Sequence, residues 1–488
     1  MLSMEKKPSA NPREEERGQF YKEEPPRSGA SRRSPRESAS ERRLGGILKT
    51  LIFMSIPTIA EEVLATLLQY VDTAMVGHLG ERATAAVSVT ATVTWLVNSV
   101  PSSVGIGALA LISKAYGARD SALMKRLSQQ VFLMTGVCGV LIGGVSMALS
   151  PFIPIWMGAE AEIQREAARY FFIISAPMLF RSASAIFGAA IRATKDTRTP
   201  MTVNLAANAV NAGLNYLLIY VLGLGVTGAA LASAVSYTLA GLLMFVVYRR
   251  SAYLGWRFKE WRADKGLIAE CARVSLPVLG TGVVSCFGYV VFARLVAGMG
   301  TTVFAAHSIA VTAETIFYIP GYGLRTATSA LVGIARGEGD RQKLSDISRL
   351  SVFVTMGMMV ASGVILFWVA YPLMRLMTNS PNAAALGARM LRLVAFSEPF
   401  FGLMIVGEGI LYGLGRTKYA FVIESLGMWG VRIFMTFLCI NLWNADLRGV
   451  WYCMIADNVF KAVMLILPLA IGSRRRLLYA EAVKKEDV

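Results

Sequence analysis

Charged residues are scarce in this chain. Only 17% of its 488 residues are Asp, Glu, Lys or Arg, whereas 55% are hydrophobic and the mean hydropathy is +0.51. Because a soluble domain usually carries about 25% charged residues, this composition excludes a single soluble globular fold. The hydrophobic residues form long runs, and a helix needs roughly 20 apolar residues to cross a bilayer. The composition therefore predicts an all-α polytopic membrane protein.

Histidine and cysteine are also scarce, which narrows the chemistry. The sequence has two His and five Cys, and the cysteines stand alone in apolar runs without a CxxC pair. A structural zinc site and a disulfide framework are therefore not expected. The sequence also lacks a P-loop, a GxSxG motif and an HExxH motif. We expect neither an enzyme nor an ATP-driven pump, and no cofactor.

The basic residues follow the pattern of membrane orientation. The formal net charge is +17, but Lys and Arg concentrate in the two terminal tails and in every second connection between apolar runs. Connections that face the cytoplasm carry such an excess. We therefore expect a protein integral to the cytoplasmic (inner) membrane, surrounded by lipid, with both termini in the cytoplasm and no nucleic acid as a partner.

Composition divides the chain into five parts. The ends are rich in charged residues and poor in aliphatic ones, so they cannot bury enough apolar surface to order themselves. About twelve apolar spans fit between them. The expected parts are a disordered cytoplasmic N-terminal tail (1–46), an N-terminal six-helix lobe (47–248), a cytoplasmic inter-lobe linker (249–266), a C-terminal six-helix lobe (267–472) and a cytoplasmic C-terminal tail (473–488).

The apolar part contains an internal repeat. A shift of 220 residues superposes Pro57 on Pro277, Gly80 on Gly300, Gly117 on Gly337 and Asp120 on Asp340. The repeat predicts two pseudo-symmetric bundles of six helices each. Parallel repeats of this kind are typical of secondary transporters, whose substrate site lies between the halves.

Several segments resemble the multidrug and toxic compound extrusion (MATE) family of the MOP superfamily. Pro57 with residues 71–80 (VDTAMVGHLG) resembles its first helix, 305–310 with 319–323 its eighth, and 196–201 the loop before its fifth. The resemblance implies a V-shaped pair of bundles. It also implies an antiporter, similar to bacterial NorM-like and DinF-like members, that exports small amphipathic or cationic compounds in exchange for H⁺ or Na⁺ by alternating access.

Asp72 and four asparagines stand out among the polar residues in the apolar spans of the first half. A carboxylate such as Asp72 near the bilayer centre costs about 2.5–3.5 kcal/mol on insertion scales. Asn204, Asn208, Asn211 and Asn215 are spaced by four, three and four residues, which places them on one helix face. Hydrocarbon offers such groups no partner. They predict either a site for a cation or proton, or hydrogen bonds that hold helices together.

The resemblance assigns roles to some of these residues. In the family, a first-helix Asp and a pair of fifth-helix Asn, which match Asp72, Asn211 and Asn215, bound the coupling-ion pocket, so Na⁺ is a candidate ligand there. Asn208 is a further candidate, and Ser233 matches a hydroxyl that some members add. Some members have Asp where this chain has Asn215, so both Na⁺ and H⁺ stay open.

Other polar residues inside spans are candidates for the substrate cavity: Glu314, Glu408, Gln69 and Tyr70. Pro57 is expected to kink the first helix and to act as a gate. The family's carboxylates on the seventh and tenth helices are absent near Cys286 and Phe401, which argues against a C-terminal Na⁺ site of that kind. We expect a monomer.

A lipid-linked saccharide or lipid flippase of the same superfamily is the alternative. Its cavity would need many basic residues to hold a diphosphate headgroup. In this chain most basic residues lie in connections, and the intramembrane acids outnumber what a phosphate would tolerate. The sequence therefore favours the antiporter.

Overall fold

A computed structural model describes residues 35–255 and 262–470, and the regular structure in these ranges is helical. The N-terminal repeat consists of α1 (Pro35–Gly77), α2 (Glu81–Gly117), α3 (Ser121–Leu149), α4 (Ala161–Ser175 and Met178–Arg192), α5 (Arg198–Asn215, continued by a π-helical segment, Tyr216–Val221) and α6 (Gly225–Arg250). A short helix, Ile153–Trp156, precedes α4.

The C-terminal repeat has the same order of helices. It consists of α7 (Lys265–Ala297), α8 (Thr301–Glu338), α9 (Arg341–Met377), α10 (Pro381–Ala395 and Glu398–Gly413), α11 (Thr417–Ser425, the π-helical segment Leu426–Ile433, and Phe434–Asn441) and α12 (Leu447–Ala470). The predicted fold class, two pseudo-symmetric bundles of six membrane helices, is confirmed.

Nine helices in the described ranges are long and apolar enough to cross a membrane, and the two bent pairs raise the number to eleven. The halves of α4 meet at 49° and those of α10 at 58°. Pro177 and Pro399 lie at these breaks, where proline removes a backbone donor. The remaining helix, α5, is less apolar because it carries the four asparagines.

The backbone repeats the same turns in both halves. Gly80 and Gly300 precede α2 and α8 with φ of 108° and 113°, a region that residues with a Cβ rarely adopt. Asp120 and Asp340 cap α3 and α9, since each carboxylate accepts a backbone N–H three residues later at 2.8 Å. The same glycine turns and aspartate caps thus set the direction of corresponding helices in the two repeats.

The two repeats pack closely at one end of the bundle. We call this the basic end; α2, α6, α8 and α10 end there, next to the connections rich in Lys and Arg. A Cβ added to Gly117 of α2 would overlap the carbonyl oxygen of Ile334, and one added to Gly337 of α8 would overlap that of Lys114. The backbones of α2 and α8 therefore touch, as small residues allow in membrane helices.

The N-terminal boundary differs from the prediction. Helix α1 begins at Pro35, inside the segment 1–46 that the sequence predicted to be disordered. Proline is favoured at the first position of a helix, which explains the difference. Residues 1–34, 256–261 and 471–488 lie outside the described residues, and so do the predictions made for them: most of the N-terminal tail, part of the inter-lobe linker and the whole C-terminal tail.

The close approach of α2 and α8 predicts that alanine destabilises the protein at Gly337, although alanine normally stabilises a helix relative to glycine. Alanine stabilises a helix over glycine by about 1 kcal/mol, but Gly337→Ala should lower the free energy of unfolding by about 1–3 kcal/mol because its methyl overlaps α2. Gly357→Ala in α9, where a Cβ meets nothing within 4 Å, is the matched control and should be neutral or stabilising. Thermal unfolding of the purified proteins in detergent compares them, and equal shifts would contradict the close approach of α2 and α8.

Candidate functional site

Polar side chains of α1, α5 and α6 meet at one point in the N-terminal repeat. The amide nitrogen of Asn215 donates to Asp72 Oδ1 at 2.6 Å and to Asn211 Oδ1 at 3.2 Å. The amide of Asn211 donates to Ser233 Oγ at 3.4 Å. Turning the Asn211 amide over brings its nitrogen to 2.9 Å from Asp72 Oδ2. Both asparagines therefore converge on the Asp72 carboxylate.

This cluster has more acceptors than donors. Asn215 is 1% exposed, and its Oδ1 has no hydrogen-bond partner within the described ranges. A buried acceptor left without a donor costs about 1–3 kcal/mol. Here it lies beside a carboxylate, so the surroundings attract positive charge. A proton on Asp72 fits these surroundings, and so does a small hard cation coordinated by the oxygens of Asp72, Asn211 and Asn215.

The backbone after Asn215 keeps this contact in place. The α-helix changes there to the π-helical segment Tyr216–Val221, an irregularity that is frequent at functional sites. The hydroxyl of Tyr220 in this segment donates to the carbonyl oxygen of Met75 at 3.1 Å. Helix α5 and its π-helical continuation are thus bound to α1 at Asp72 and, about one turn further along, at Met75.

The other two asparagines of the stripe belong to a second site. Asn204 donates to Glu61 Oε1 at 2.5 Å, and the guanidinium of Arg192 lies 2.6 Å from the same oxygen. Asn208 lines the cavity next to this group. One face of α5 therefore connects the Asp72 cluster with a buried ion pair between α1 and α4.

A cavity of about 540 Å³ lies between the two repeats. Helices α1, α2, α4, α5 and α6 line one side, and α8 and α10 line the other. Its charged lining residues are Glu61, Glu62, Arg181, Arg192 and Arg325. Pockets for small organic molecules measure roughly 300–1,000 Å³, so this cavity has the size of a ligand site.

Pairing neutralises part of the charge around the cavity. Arg325 lies 2.8 Å from Glu408, which also accepts from the hydroxyl of Tyr412 at 3.4 Å. Arg181 stacks over Tyr237 with 4.2 Å between the guanidinium carbon and the ring centroid.

Glu62 is the exception among the lining carboxylates. Within the described part of the chain it takes part in no ion pair, whereas Glu61 is paired with Arg192. Glu62 is therefore the carboxylate that is free to attract a cationic ligand.

The predicted substrate-cavity residues lie outside the lining. Glu314 is buried in the C-terminal repeat, Gln69 is exposed on α1, and Glu408 reaches the cavity only through its partner. The hydroxyl of Tyr70 donates to the carbonyl oxygen of Thr312 at 3.0 Å, a contact between the repeats.

Pro57 lies in α1 beside a contact between the repeats. The hydroxyl of the next residue, Thr58, donates to the carbonyl oxygen of Gly323 in α8 at 2.8 Å. Pro57 removes one backbone hydrogen bond from α1. The helix is therefore weakened next to the residue that binds it to the other repeat.

Sequence reasoning overlooked Glu61, Glu62 and Arg192. Two adjacent carboxylates inside an apolar helix were the available signal, because such groups are costly in a bilayer. Their spacing along α1 does not reveal that α4 and α5 supply the partners.

Comparisons with known proteins show the family to which this chain belongs. A family model described as MatE matches residues 57–217 and again 277–438. The chain is similar to the probable multidrug resistance protein NorM of Thermotoga maritima, with 28% identity over 465 residues, which cover 92% of this chain and 97% of that one. It is also similar to the human multidrug and toxin extrusion protein 1, with 26% identity over 435 residues, 85% of this chain and 73% of that one.

Solved structures share the fold. The crystal structure of a Vibrio cholerae MATE transporter, VcmN, matches with a TM-score of 0.82 at 18% identity and covers 91% of this chain and 99% of that one. A MOP superfamily transporter from Pyrococcus furiosus matches with a TM-score of 0.84 at 20% identity, over 90% and 97% of the two chains.

Removing the Asn215 amide tests the cluster. Asn215→Ala should lower the free energy of unfolding by about 1–3 kcal/mol, because Asp72 loses a buried donor. Asn208→Ala, on the same face of α5 but lining the cavity, should stay within about 0.5 kcal/mol of the parent. Thermal unfolding in detergent measures both; equal losses would mean that the Asn215 contact is not special.

Proposed function

We propose, from the premise that this chain belongs to the MatE family of multidrug efflux transporters, that it is an antiporter which exports small amphipathic or cationic compounds in exchange for H⁺ or Na⁺ by alternating access. The observation that carries the proposal is the convergence of Asn211 and Asn215 on Asp72. A half-buried carboxylate with surplus acceptors around it suits a reversible positive charge.

The ion acts on the contact between α1 and α5. When a proton or Na⁺ binds, the negative charge of Asp72 is neutralised, and Asn215 no longer donates to a free carboxylate. Hydrogen bonds to charged groups are about twice as strong as neutral ones, so this contact weakens. Pro57, in the same helix, is the hinge about which α1 then bends.

Helix α5 links ion and substrate. Asn215 contacts the ion site and Asn204 contacts Glu61 at the cavity, so a shift of α5 affects both places. The substrate cation pairs with Glu62, and aromatic side chains such as Tyr237 and Tyr412 contact its apolar part. By linkage, the ion lowers the affinity for substrate by the same factor as the substrate lowers that for the ion.

The orientation follows from the basic connections. The chain is an integral membrane protein, and we infer that it lies in the cytoplasmic membrane with both termini and the basic end in the cytoplasm. We further infer that it works as a monomer in contact with lipid, because the cavity is formed within one chain.

A lipid-linked saccharide flippase is less well supported. Such an activity needs unpaired basic groups for a diphosphate, whereas Arg192 and Arg325 are already paired with Glu61 and Glu408. Arg181 is the one lining cation without a carboxylate partner among the described residues, and its guanidinium stacks over Tyr237. The lining thus offers a diphosphate a single unpaired cation.

Neutralising Asp72 tests ion coupling. Asp72→Asn should reduce the efflux of a fluorescent cation from proteoliposomes to background, under an imposed Na⁺ gradient and under an imposed H⁺ gradient alike, because the exchangeable charge is lost. Asp446→Asn, whose parent side chain is 71% exposed in the connection before α12, should transport normally. Unchanged efflux by correctly folded Asp72→Asn would refute the assignment.

Neutralising Glu62 tests substrate recognition. Glu62→Gln should raise KM for cationic substrates about tenfold, which corresponds to about 1.4 kcal/mol, and should leave KM for an uncharged amphipathic substrate unchanged. Glu162→Gln, at a side chain that is 65% exposed, is the matched control. Transport assays in proteoliposomes measure both constants, and an equal change for charged and uncharged substrates would contradict a role as counter-ion.

A further inference from the structure

The C-terminal repeat carries different residues at the counterpart of the Asp72 cluster. The two stretches matched by the family model are offset by 220 residues at their first positions and by 221 at their last. With these offsets, Asp72 corresponds to Phe292 and Asn211 corresponds to Arg432. An apolar ring thus replaces the carboxylate, and a permanent cation replaces an amide.

The counterpart residues meet in space as the originals do. The guanidinium carbon of Arg432 lies 5.8 Å from the ring centroid of Phe292 and 5.7 Å from that of Tyr289. Helices α11 and α7 therefore make the same contact as α5 and α1. In the first repeat this place has surplus acceptors, and in the second it contains a guanidinium.

Residues of α12 hold this guanidinium. Arg432 Nε lies 2.9 Å from Asp457 Oδ2, and its Nη2 donates to Asn458 Oδ1 at 3.1 Å. The ammonium of Lys461 lies 3.1 Å from the same Asp457 oxygen and 2.9 Å from Glu424. Two cations and two carboxylates form one connected network.

The network is buried and compact. The four charged side chains are between 0% and 8% exposed. A Cβ added to Gly427 would overlap both Asp457 and Lys461, so α11 packs directly on the network. Breaking a buried pair by removing one partner costs about 3–5 kcal/mol, because the remaining charge has no compensation.

We propose that Arg432 is a tethered cation that occupies, in the C-terminal repeat, the position where the N-terminal repeat takes up an exchangeable cation. Only the N-terminal member of this symmetric pair then exchanges its positive charge with solvent. The proposal rests on the proposed function in that it takes the Asp72 cluster as the ion site.

The proposal predicts a latent cation site. Removing the guanidinium leaves Lys461 as the one cation in contact with Asp457 and Glu424 among the described residues. Glu314, a further buried carboxylate near Arg432, adds negative charge from α8, and the imidazole of His307, also on α8, faces the same place, 5.6 Å from the ring of Phe292. The vacated space would then attract a free monovalent cation or a proton. Replacing Arg432 by lysine keeps the tethered charge and should create no such site.

The experiment measures thermal unfolding of full-length protein in nanodiscs. Three proteins are compared: Asp72→Asn, Asp72→Asn with Arg432→Gln, and Asp72→Asn with Arg432→Lys. Each is titrated with NaCl against choline chloride at equal ionic strength, and separately with pH at fixed Na⁺. A ligand that binds only the folded state raises Tm.

The expected result is a gain confined to the glutamine variant. Its Tm should rise by at least about 2 °C with Na⁺ or with acid, whereas the other two proteins should show a smaller response or none. No gain in the folded glutamine variant would overturn the proposal. An equal gain in the lysine variant would also overturn it, because the tethered charge would then not matter.

A second measurement applies if the glutamine variant does not fold in choline chloride. Its yield of monodisperse protein should be restored by Na⁺ or by acid, and the charge-balanced variant Arg432→Gln with Asp457→Asn should fold without either. If the charge-balanced variant folds and the ions restore nothing, the proposal is wrong. Failure of the proposed function would instead appear as unchanged efflux by Asp72→Asn, an independent readout.

Discussion

A carboxylate inside a bilayer is costly without a partner, and the contacts of four such carboxylates join the helices of each repeat. Asp72 is bound by α5, Glu61 by α4 and α5, Glu408 by α8, and Asp457 by α11. Each of these buried contacts joins helices of the same repeat. Charge and hydrogen bonding, rather than apolar packing alone, therefore make each bundle a unit, because lipid competes with apolar contacts but not with polar ones.

The contacts between the repeats have a different chemistry. Apart from the ion pair between Arg126 of α3 and Asp264 at the start of α7, the contacts described above are neutral hydrogen bonds, such as that from Thr58 to Gly323, and close backbone approaches at Gly117 and Gly337. Neutral contacts of this kind are each worth about 0.5–1.5 kcal/mol, and they break without leaving a charge uncompensated. Two bundles with strong internal contacts and weaker contacts between them suit the rocking motion that the proposed alternating access requires.

The pseudo-symmetry holds in the backbone and fails in the chemistry. Gly80 and Gly300 share one turn geometry, and Asp120 and Asp340 share one cap, because these residues shape the chain path in both halves. Asn211 and Arg432 occupy matching positions with opposite electrostatic consequences. A duplicated fold therefore does not imply a duplicated site.

The sequence by itself determined the membrane class, the twofold repeat and the row of asparagines on one face of α5, and the resemblance to the MATE family implied that Asn211 and Asn215 join Asp72. Hydropathy and the spacing of the asparagines on α5 are local properties, and Asp72 stood out because carboxylates are rare in apolar helices. Only the tertiary structure decided that Asn204 donates to Glu61 and that Arg192 of α4 forms an ion pair with the same carboxylate. It also decided that Glu314, Gln69 and Tyr70 lie outside the cavity lining. The physical reason is that periodicity defines the face of one helix, whereas a cavity and its ion pairs depend on which faces of different helices meet.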